Sequence, residues 1–243
     1  MKGLMLVIFA VCIQGAAAQE GGVRKDARTV GRTVDTTTIV RDSAGTILPY
    51  ATWTALLSQG YILKSRNGAD ADAERVLVRL PKREWEAMTT RLPPPIPSVA
   101  FKTGGFFLPF EAKDIRGVSW NLSEAKGKIV VLNFWFINCG PCRKEMPELN
   151  ELVASFTGNE AVLFISIALD KAEELEVFLA KSPFSYAVIP DGRGIAASYG
   201  IRSYPTNVVI GPDGKVAFHT SGWATHTVPW LRKWIYQLLP ATP

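Results

Sequence analysis

Residues 134–142 read FWFINCGPC and close an apolar, β-rich run, IVVLNFWF, at positions 129–136. A run of this length, apolar at all but one position, is the pattern of a central strand covered on both faces. The residues that follow, CRKEMPELNELVASF at 142–156, carry apolar side chains at helical spacing. Two cysteines therefore fall where a buried strand hands over to a helix. Such a pair serves as half of a zinc site, as a structural staple or as a thiol couple that exchanges electrons.

The cysteine inventory narrows these three. The chain has three cysteines in 243 residues, Cys12, Cys139 and Cys142, and two histidines, His219 and His226. The start of the chain reads as a secretory signal. Lys2 supplies the positive end, LMLVIFAVCI (4–13) an apolar core too short to span a bilayer, and AAAQ (16–19) a small-residue cleavage site after Ala18. A lipid-anchored reading through Cys12 fits poorly, because FAV precedes it where small residues are expected. Cleavage leaves Cys139 and Cys142 as a single CxxC, with no second pair and no adjacent Cys/His group to complete a zinc tetrahedron. An exported chain meets oxidising surroundings, so the pair forms a disulfide unless something reduces it. A staple closing a two-residue loop adds little by chain entropy. Electron exchange is the reading that remains.

Composition fits this class. A hydrophobic fraction of 47% and a charged fraction of 20% are those of a globular protein. Without Lys2 the chain carries 26 basic against 22 acidic residues. The excess is small and scattered, so no nucleic-acid partner is expected. No further apolar run reaches membrane-spanning length, and no transmembrane segment is expected after signal cleavage.

The organisation has three parts: 1–18 as signal peptide, 19–97 as an N-terminal region, and 98–243 as the main domain. Residues 19–36 are polar and rich in Gly, Thr and Arg. From Thr37 onward a small α+β region is expected, with strands around the DSAG turn (42–45), a helix from Tyr50 toward Gly60, strands at YILKS and ERVLVRLP, and a helix in PKREWEAMTTRL. The proline tract LPPPIPS (92–98) reads as an extended linker. Beyond it come a hairpin (FFLPFEAKD and GVSWNL) and the strand before the CxxC. A second buried strand (VLFISIAL), a helix and strand (KAEELEVFLAKS, YAVIPD), a hairpin around GPDG and a terminal helix (VPWLRKWIYQLL) complete the pattern. It predicts an α/β fold with a central mixed sheet, preceded by the small α+β region.

At a helix N-terminus, free N–H groups and partial positive charge favour a thiolate. Cys139 is therefore expected as the attacking thiol. Cys142, one turn further in, is expected as the resolving thiol that expels the reduced partner. Gly140 and Pro141 shape the turn, and Arg143 and Lys144 add nearby positive charge.

FWFINCGPCRKEMPEL, with Pro147 five residues after Cys142, resembles the thioredoxin superfamily. So does YGIRSYPTNVVIGPDGKV (199–216). The resemblance implies a thioredoxin-like fold over residues 98–243. It makes Pro205, preceded by Tyr204, the cis-proline beside the active-site disulfide, and sets Trp135 packing near that disulfide. The inserted helix and strand at 170–194 and the hairpin at 114–128 narrow the likeness to the TlpA/ResA-like exported reductases. That implies no cofactor, disulfide-containing exported proteins as substrates, cytochrome c maturation as one setting, and a membrane electron donor of the DsbD/CcdA type. The localisation implied is periplasmic or otherwise exported, by way of the cleavable signal peptide.

The chain also departs from those patterns. The buried aspartate of thioredoxin is matched by Asn133, and its lysine partner by Ser166. The glutamate near the active site of ResA-like proteins is matched by Asn121. Glu111 and Glu145 are the candidate bases, each read as a surface carboxylate. Asn138 stands where thioredoxin has a tryptophan. Three alternatives stay open at this point. One is an oxidase or isomerase using the same couple. Another is a peroxiredoxin, disfavoured by Ile137 and Asn138 before Cys139. The third is a copper-delivery protein using both cysteines and His219 or His226.

Overall fold

The structure is a computed structural model that describes residues 34–57, 60–66 and 74–240. The signal-peptide reading of residues 1–18, Cys12 and the polar leader to Thr33 lie outside the described residues. The chain divides into two compact units, one ending at Pro81 and one beginning at Lys82.

The second unit is built on a five-stranded sheet in the order β10–β9–β6–β7–β8. Its strands are β6 (Ile129–Trp135), β7 (Val162–Ala168), β8 (Ala187–Ile189), β9 (Thr206–Ile210) and β10 (Val216–Ser221). β6, β7 and β8 run parallel, whereas β9 and β10 run antiparallel to their neighbours. All seven residues of β6 are buried, as its apolar run predicts for a strand covered on both sides. Side chains alternate across the sheet. Ile129, Val131 and Trp135 pack with helices α3 (Gly140–Ala154), α4 (Ala172–Lys181) and α6 (Thr227–Leu238) through Leu149, Leu152, Leu175, Leu231 and Ile235. Val130, Leu132 and Phe134 face the other way, toward Ala196 of α5 (Arg193–Ser198) and an aromatic layer with Phe101, Phe107, Phe110 and Tyr199. Burying such side chains stabilises by roughly 1.5–3 kcal/mol each. The inserted helix and strand are α4 and β8, and the β9–β10 turn lies at Asp213–Gly214, with Gly214 at φ +76°.

The first unit, by itself, is a three-stranded sheet in the order β1–β3–β2, with β1 at Val40–Arg41, β2 at Tyr61–Ser65 and β3 at Arg75–Arg79. Helix α1 (Tyr50–Leu57) places Trp53 against Val40 and Leu77 to form its core. Arg41 holds Glu74 through both guanidinium Nε and Nη2, at 3.1 and 3.0 Å. These elements match the small α+β region expected from the sequence.

Helix α2 (Lys82–Thr89) and the proline tract both belong to the second unit, whereas the sequence pattern places the boundary near residue 97. The physical reasons are specific contacts. Glu86 pairs with the buried Arg232 at 2.9 Å, and Lys82 pairs with Glu151 at 2.8 Å. The tract does not run free as a linker. The Ile96 carbonyl accepts from the Ser221 N–H at 2.9 Å and from the Thr220 hydroxyl at 3.0 Å, and Pro95 is buried. Proline residues cannot donate, but an extended proline tract still presents carbonyls to a sheet edge.

The hairpin expected before the central strand is β4 (Glu111–Lys113) and β5 (Ser119–Asn121). Asp114 organises its turn. One carboxylate oxygen accepts from the N–H groups of Arg116 (2.9 Å) and Val118 (3.0 Å). The other accepts from Trp120 Nε1 (3.2 Å) and Arg116 Nη2 (3.2 Å). The side chain is fully buried. Asp114→Ala would strand these donors and is expected to destabilise the protein by about 2–4 kcal/mol, measured as a lower urea midpoint at unchanged m-value.

Candidate active site

Cys139 and Cys142 form a disulfide. Cys139 is the N-cap of α3, with extended backbone (φ −82°, ψ 100°), and its Sγ accepts from the Cys142 N–H at 3.2 Å. The sulfur therefore sits where the helix offers unpaired N–H groups, and one of them already points at it. Pro141 lies in the first turn, where a missing N–H costs nothing. Pro147 stays inside α3 and removes one bond of the helix ladder. Cys139 keeps 5% of its surface exposed and Cys142 1%, so the first thiol is the more accessible one, as the sequence order suggests. Gly140 and Pro141 are exposed on the rim. The loop before Cys139 is pinned by the Ile137 N–H donating to Asp170 at 2.7 Å and the Cys139 N–H donating to the Phe136 carbonyl at 3.1 Å.

Trp135 is fully buried in the same core cluster as both cysteines, edge-on to Phe184 with centroids 5.7 Å apart. The Tyr204–Pro205 peptide bond is cis. Tyr204 packs edge-on against Phe136 at 5.4 Å, and the Pro205 carbonyl accepts from the Gly222 N–H at 2.8 Å. Arg143 and Lys144 are exposed, and each lies over an aromatic face, Phe178 at 5.8 Å and Trp223 at 5.4 Å.

A polar row crosses the sheet on the α3 side. Asn133 of β6 is in register with Ser166 of β7 and with Asn207 of β9, and all three are buried. Glu145 of α3 comes down onto this row and is only 1% exposed. Its Oε1 accepts from Asn133 Nδ2 at 2.9 Å and Asn207 Nδ2 at 3.2 Å, while Oε2 accepts from Asn207 Nδ2 at 3.4 Å. Asn133 Nδ2 also donates to Asn207 Oδ1 at 2.9 Å. Burial raises the Glu145 carboxyl, the Asn207 and Asn133 amides lower it, and the Glu148 charge raises it again, so that it is pushed up to about 8. Glu145 follows Cys142 by three residues, which places the two on one side of the helix. Burial and the Glu145 charge together raise the Tyr186 phenol.

Glu145 is thus a core residue, not the surface carboxylate expected of it. Its face of α3 turns inward, and two amides satisfy what burial exposes. Asn121 does not occupy an active-site position. It caps the 3₁₀ turn η1 (Leu122–Glu124), with Oδ1 accepting from the Ser123 N–H at 3.0 Å and Nδ2 donating to Glu124 at 3.0 Å. Glu111 is exposed on β4, as expected. Sequence reasoning missed Asn207, whose signal is its place two residues beyond Pro205, in register with Asn133. His219 pairs with Val208 in the sheet and contacts Phe101. It therefore faces away from the layer that holds Cys142, and burial lowers its pKa. His226 Nε2 lies 3.1 Å from the Pro93 carbonyl.

Residues 104–219 match the AhpC/TSA family. The chain is similar to the thioredoxin-like protein YneN of Bacillus subtilis, at 33% identity over 44% of this chain and 64% of that protein. It is similar to the thiol-disulfide oxidoreductase ResA of Halalkalibacterium halodurans, at 32% identity over 49% of this chain and 69% of the relative. For ResA of Bacillus thuringiensis the identity is 36%, over 48% and 68%. Among solved structures, a Chlorobium tepidum protein described as a thiol:disulfide interchange protein DsbE superposes with TM-score 0.52 at 26% identity, over 57% of this chain and 98% of that one. A Bacteroides thetaiotaomicron protein described as a protein disulfide isomerase gives TM-score 0.53 at 26% identity, over 60% and 94%. With identity above 30% carried across more than two thirds of the ResA sequences, the chain belongs to the ResA-like thiol-disulfide oxidoreductases of the thioredoxin superfamily.

Proposed function

We propose that this chain is an exported reductase of protein disulfides that works through the Cys139/Cys142 couple. The observation that carries the reading is the pairing of a helix-capping sulfur, Cys139, with a resolving sulfur one turn inward whose helix face bears a buried carboxyl. In the reduced enzyme the Cys139 thiolate attacks a substrate disulfide. One substrate sulfur leaves, and a mixed disulfide forms. Cys142 then gives its proton to Glu145 and attacks Cys139 Sγ. The second substrate sulfur leaves as a thiolate, the substrate has gained two electrons, and the enzyme disulfide is restored. A reducing partner reverses the enzyme half. Its thiolate attacks Cys139, Cys142 leaves as a thiolate, and Glu145 returns the proton. A carboxyl with a pKa near the working pH serves both directions.

Family resemblance supplies the rest of the proposal: a cleaved signal peptide, a periplasmic setting, a membrane donor of the DsbD/CcdA type and exported disulfide proteins as substrates, apocytochrome c in its disulfide form among them. Trp135, Gly140, Pro141, Tyr204 and Pro205 form the supporting shell of the couple in this reading. The Gly-Pro pair between the cysteines favours the reducing direction over oxidase or isomerase work.

The Cys142→Ser variant, reduced and mixed with a disulfide-bonded protein, is expected to hold a stable mixed disulfide at Cys139. The Cys139→Ser variant is expected to hold none. Equal trapping by both would overturn the assignment of the attacking thiol.

The Glu145 carboxyl also makes stability depend on pH. Its folded value, about 8, lies above its unfolded value near 4.5. Below pH 4.5 the acid is neutral in both states, and its contribution is fully present. Between pH 4.5 and 8 only the unfolded chain ionises, and stability falls by about 1.4 kcal/mol per unit, on the order of 5 kcal/mol at most. Glu145→Gln is expected to match the wild type near pH 5 and to be the more stable at pH 9 in urea denaturation of the oxidised protein. The same variant is expected to resolve mixed disulfides roughly 100-fold more slowly at pH 7, the lower end of a general acid–base contribution.

A further inference from the structure

The two oxygens of Glu145 are not equivalent. Oε1 takes two amide donors, at 2.9 and 3.2 Å, and is held in place. Oε2 takes a single long contact, at 3.4 Å, and the donor is Asn207. Oε2 therefore keeps the more basic lone pair and is the oxygen free to carry a proton. Asn207 is the one residue whose amide touches both oxygens. It stands on β9, two residues beyond the cis Tyr204–Pro205 bond. Asn133 is committed elsewhere as well, because its amide also donates to Asn207 Oδ1 at 2.9 Å. Asn207 thus receives one bond from β6 and bridges the carboxyl on α3, so its amide plane is fixed by both layers.

We infer that Asn207 is a positioning residue for proton transfer at Cys142: it aims the Glu145 carboxyl and favours its charged form, tying the acid–base group of the helix to the strand that follows the cis-proline. This rests on the reading of Glu145 as the proton partner of Cys142. The step it serves is balanced. The Cys142 thiol proton moves to Glu145 Oε2, the Cys142 Sγ–Cys139 Sγ bond forms, the Cys139–substrate sulfur bond breaks, and the substrate leaves as a thiolate. The groups facing Glu145 are Cys142 and Glu148 on its own helix, Asn133 on β6, Asn207 on β9, and Tyr186 next to β8, whose phenol the Glu145 charge raises. Of these, Asn133 and Asn207 stabilise the carboxylate, and Glu148 opposes it.

The test follows the side-chain carboxyl carbons of ¹³C-glutamate-labelled, oxidised full-length protein by NMR from pH 5 to 10. The signal that titrates near pH 8 and vanishes in Glu145→Gln belongs to Glu145. In Asn207→Ala its midpoint is expected to rise by about one pH unit, the loss of one hydrogen bond to a charged group. In Asn207→Ser, whose hydroxyl can still donate, the rise is expected to be smaller but of the same sign. The pH midpoint of mixed-disulfide resolution is expected to move upward by the same amount. A purely structural role would lower stability and leave both midpoints unmoved. If Asn207→Ala does not fold, Asn207→Ser carries the test alone. An unchanged or lowered midpoint in a folded variant overturns the role of Asn207 while leaving that of Glu145 intact. Burial also raises Glu148, to about 7, so a second signal that persists in Glu145→Gln is that of Glu148; a wild type with no signal near pH 8 that is lost in Glu145→Gln overturns the reading of Glu145 itself.

Discussion

A carboxyl group buried between a helix and a sheet, with amides rather than a cation as its hydrogen-bond partners, is the constraint on which the rest of this domain depends. Burying a charge without a counter-ion is costly, and the usual escape is a raised pKa. Glu145 takes that escape in part. Asn133 and Asn207 offer it enough N–H donors to keep the charged form within reach. The result is a group balanced between acid and base, three residues from the sulfur that, in the proposed cycle, loses and regains a proton. The register of the sheet makes this possible. β6 and β9 bring two asparagines opposite each other, and the alternation of β6 turns both Asn133 and Trp135 toward the helix that carries the cysteines.

In the proposed cycle the same geometry separates the tasks of the two sulfurs. Cys139 caps the helix, where N–H groups stabilise a thiolate. Cys142 lies a turn inward, almost without exposure, where solvent cannot serve as its base. A negative charge on Glu145 opposes charge on the buried sulfur and so disfavours the thiolate state. Cys142 therefore waits as a thiol in the reduced enzyme, the form from which the proposed resolving step starts. The helix N-terminus acts on Cys139, where a stabilised thiolate favours the reduced form. The proposed reducing direction is the case in which the stiff Gly-Pro turn outweighs the cap.

Much of this architecture is legible in the amino-acid sequence. The seven-residue strand, the helix that follows it, the inserted α4 and β8 and the terminal hairpin each carry a local pattern, whether an apolar run, a 3.6-residue period or a Gly-Asp turn signal. The CxxC carries its chemistry in its spacing. The environment of the polar residues is not legible in the same way. Glu145 sits in a helix that shows both charged and apolar residues, and nothing local tells an inward glutamate from an outward one. Asn133 is recognisable as a site that cannot titrate, but its partner lies 74 residues away on β9, and only pairing register joins them. Asn121, expected from the resemblance to stand where ResA-like proteins have a glutamate, caps a 3₁₀ turn, a role that short polar side chains take by local hydrogen bonding. The proline tract has the composition of a linker because proline cannot donate, but its carbonyls matter more, since Ile96 ties it to the edge of the sheet.

The central claim is the direction of electron flow, and the reduction potential of the Cys139/Cys142 couple tests it most directly. The mature protein would be equilibrated in a dithiol redox buffer at pH 7 and followed by tryptophan fluorescence, to which Trp135, in the same core cluster as both cysteines, contributes. A single two-electron transition close to that of thioredoxin, roughly −270 mV, is the expected result. A transition near roughly −120 mV, the value of the strong oxidant DsbA, would mean that the helix cap at Cys139 dominates the couple and that the protein takes electrons rather than giving them.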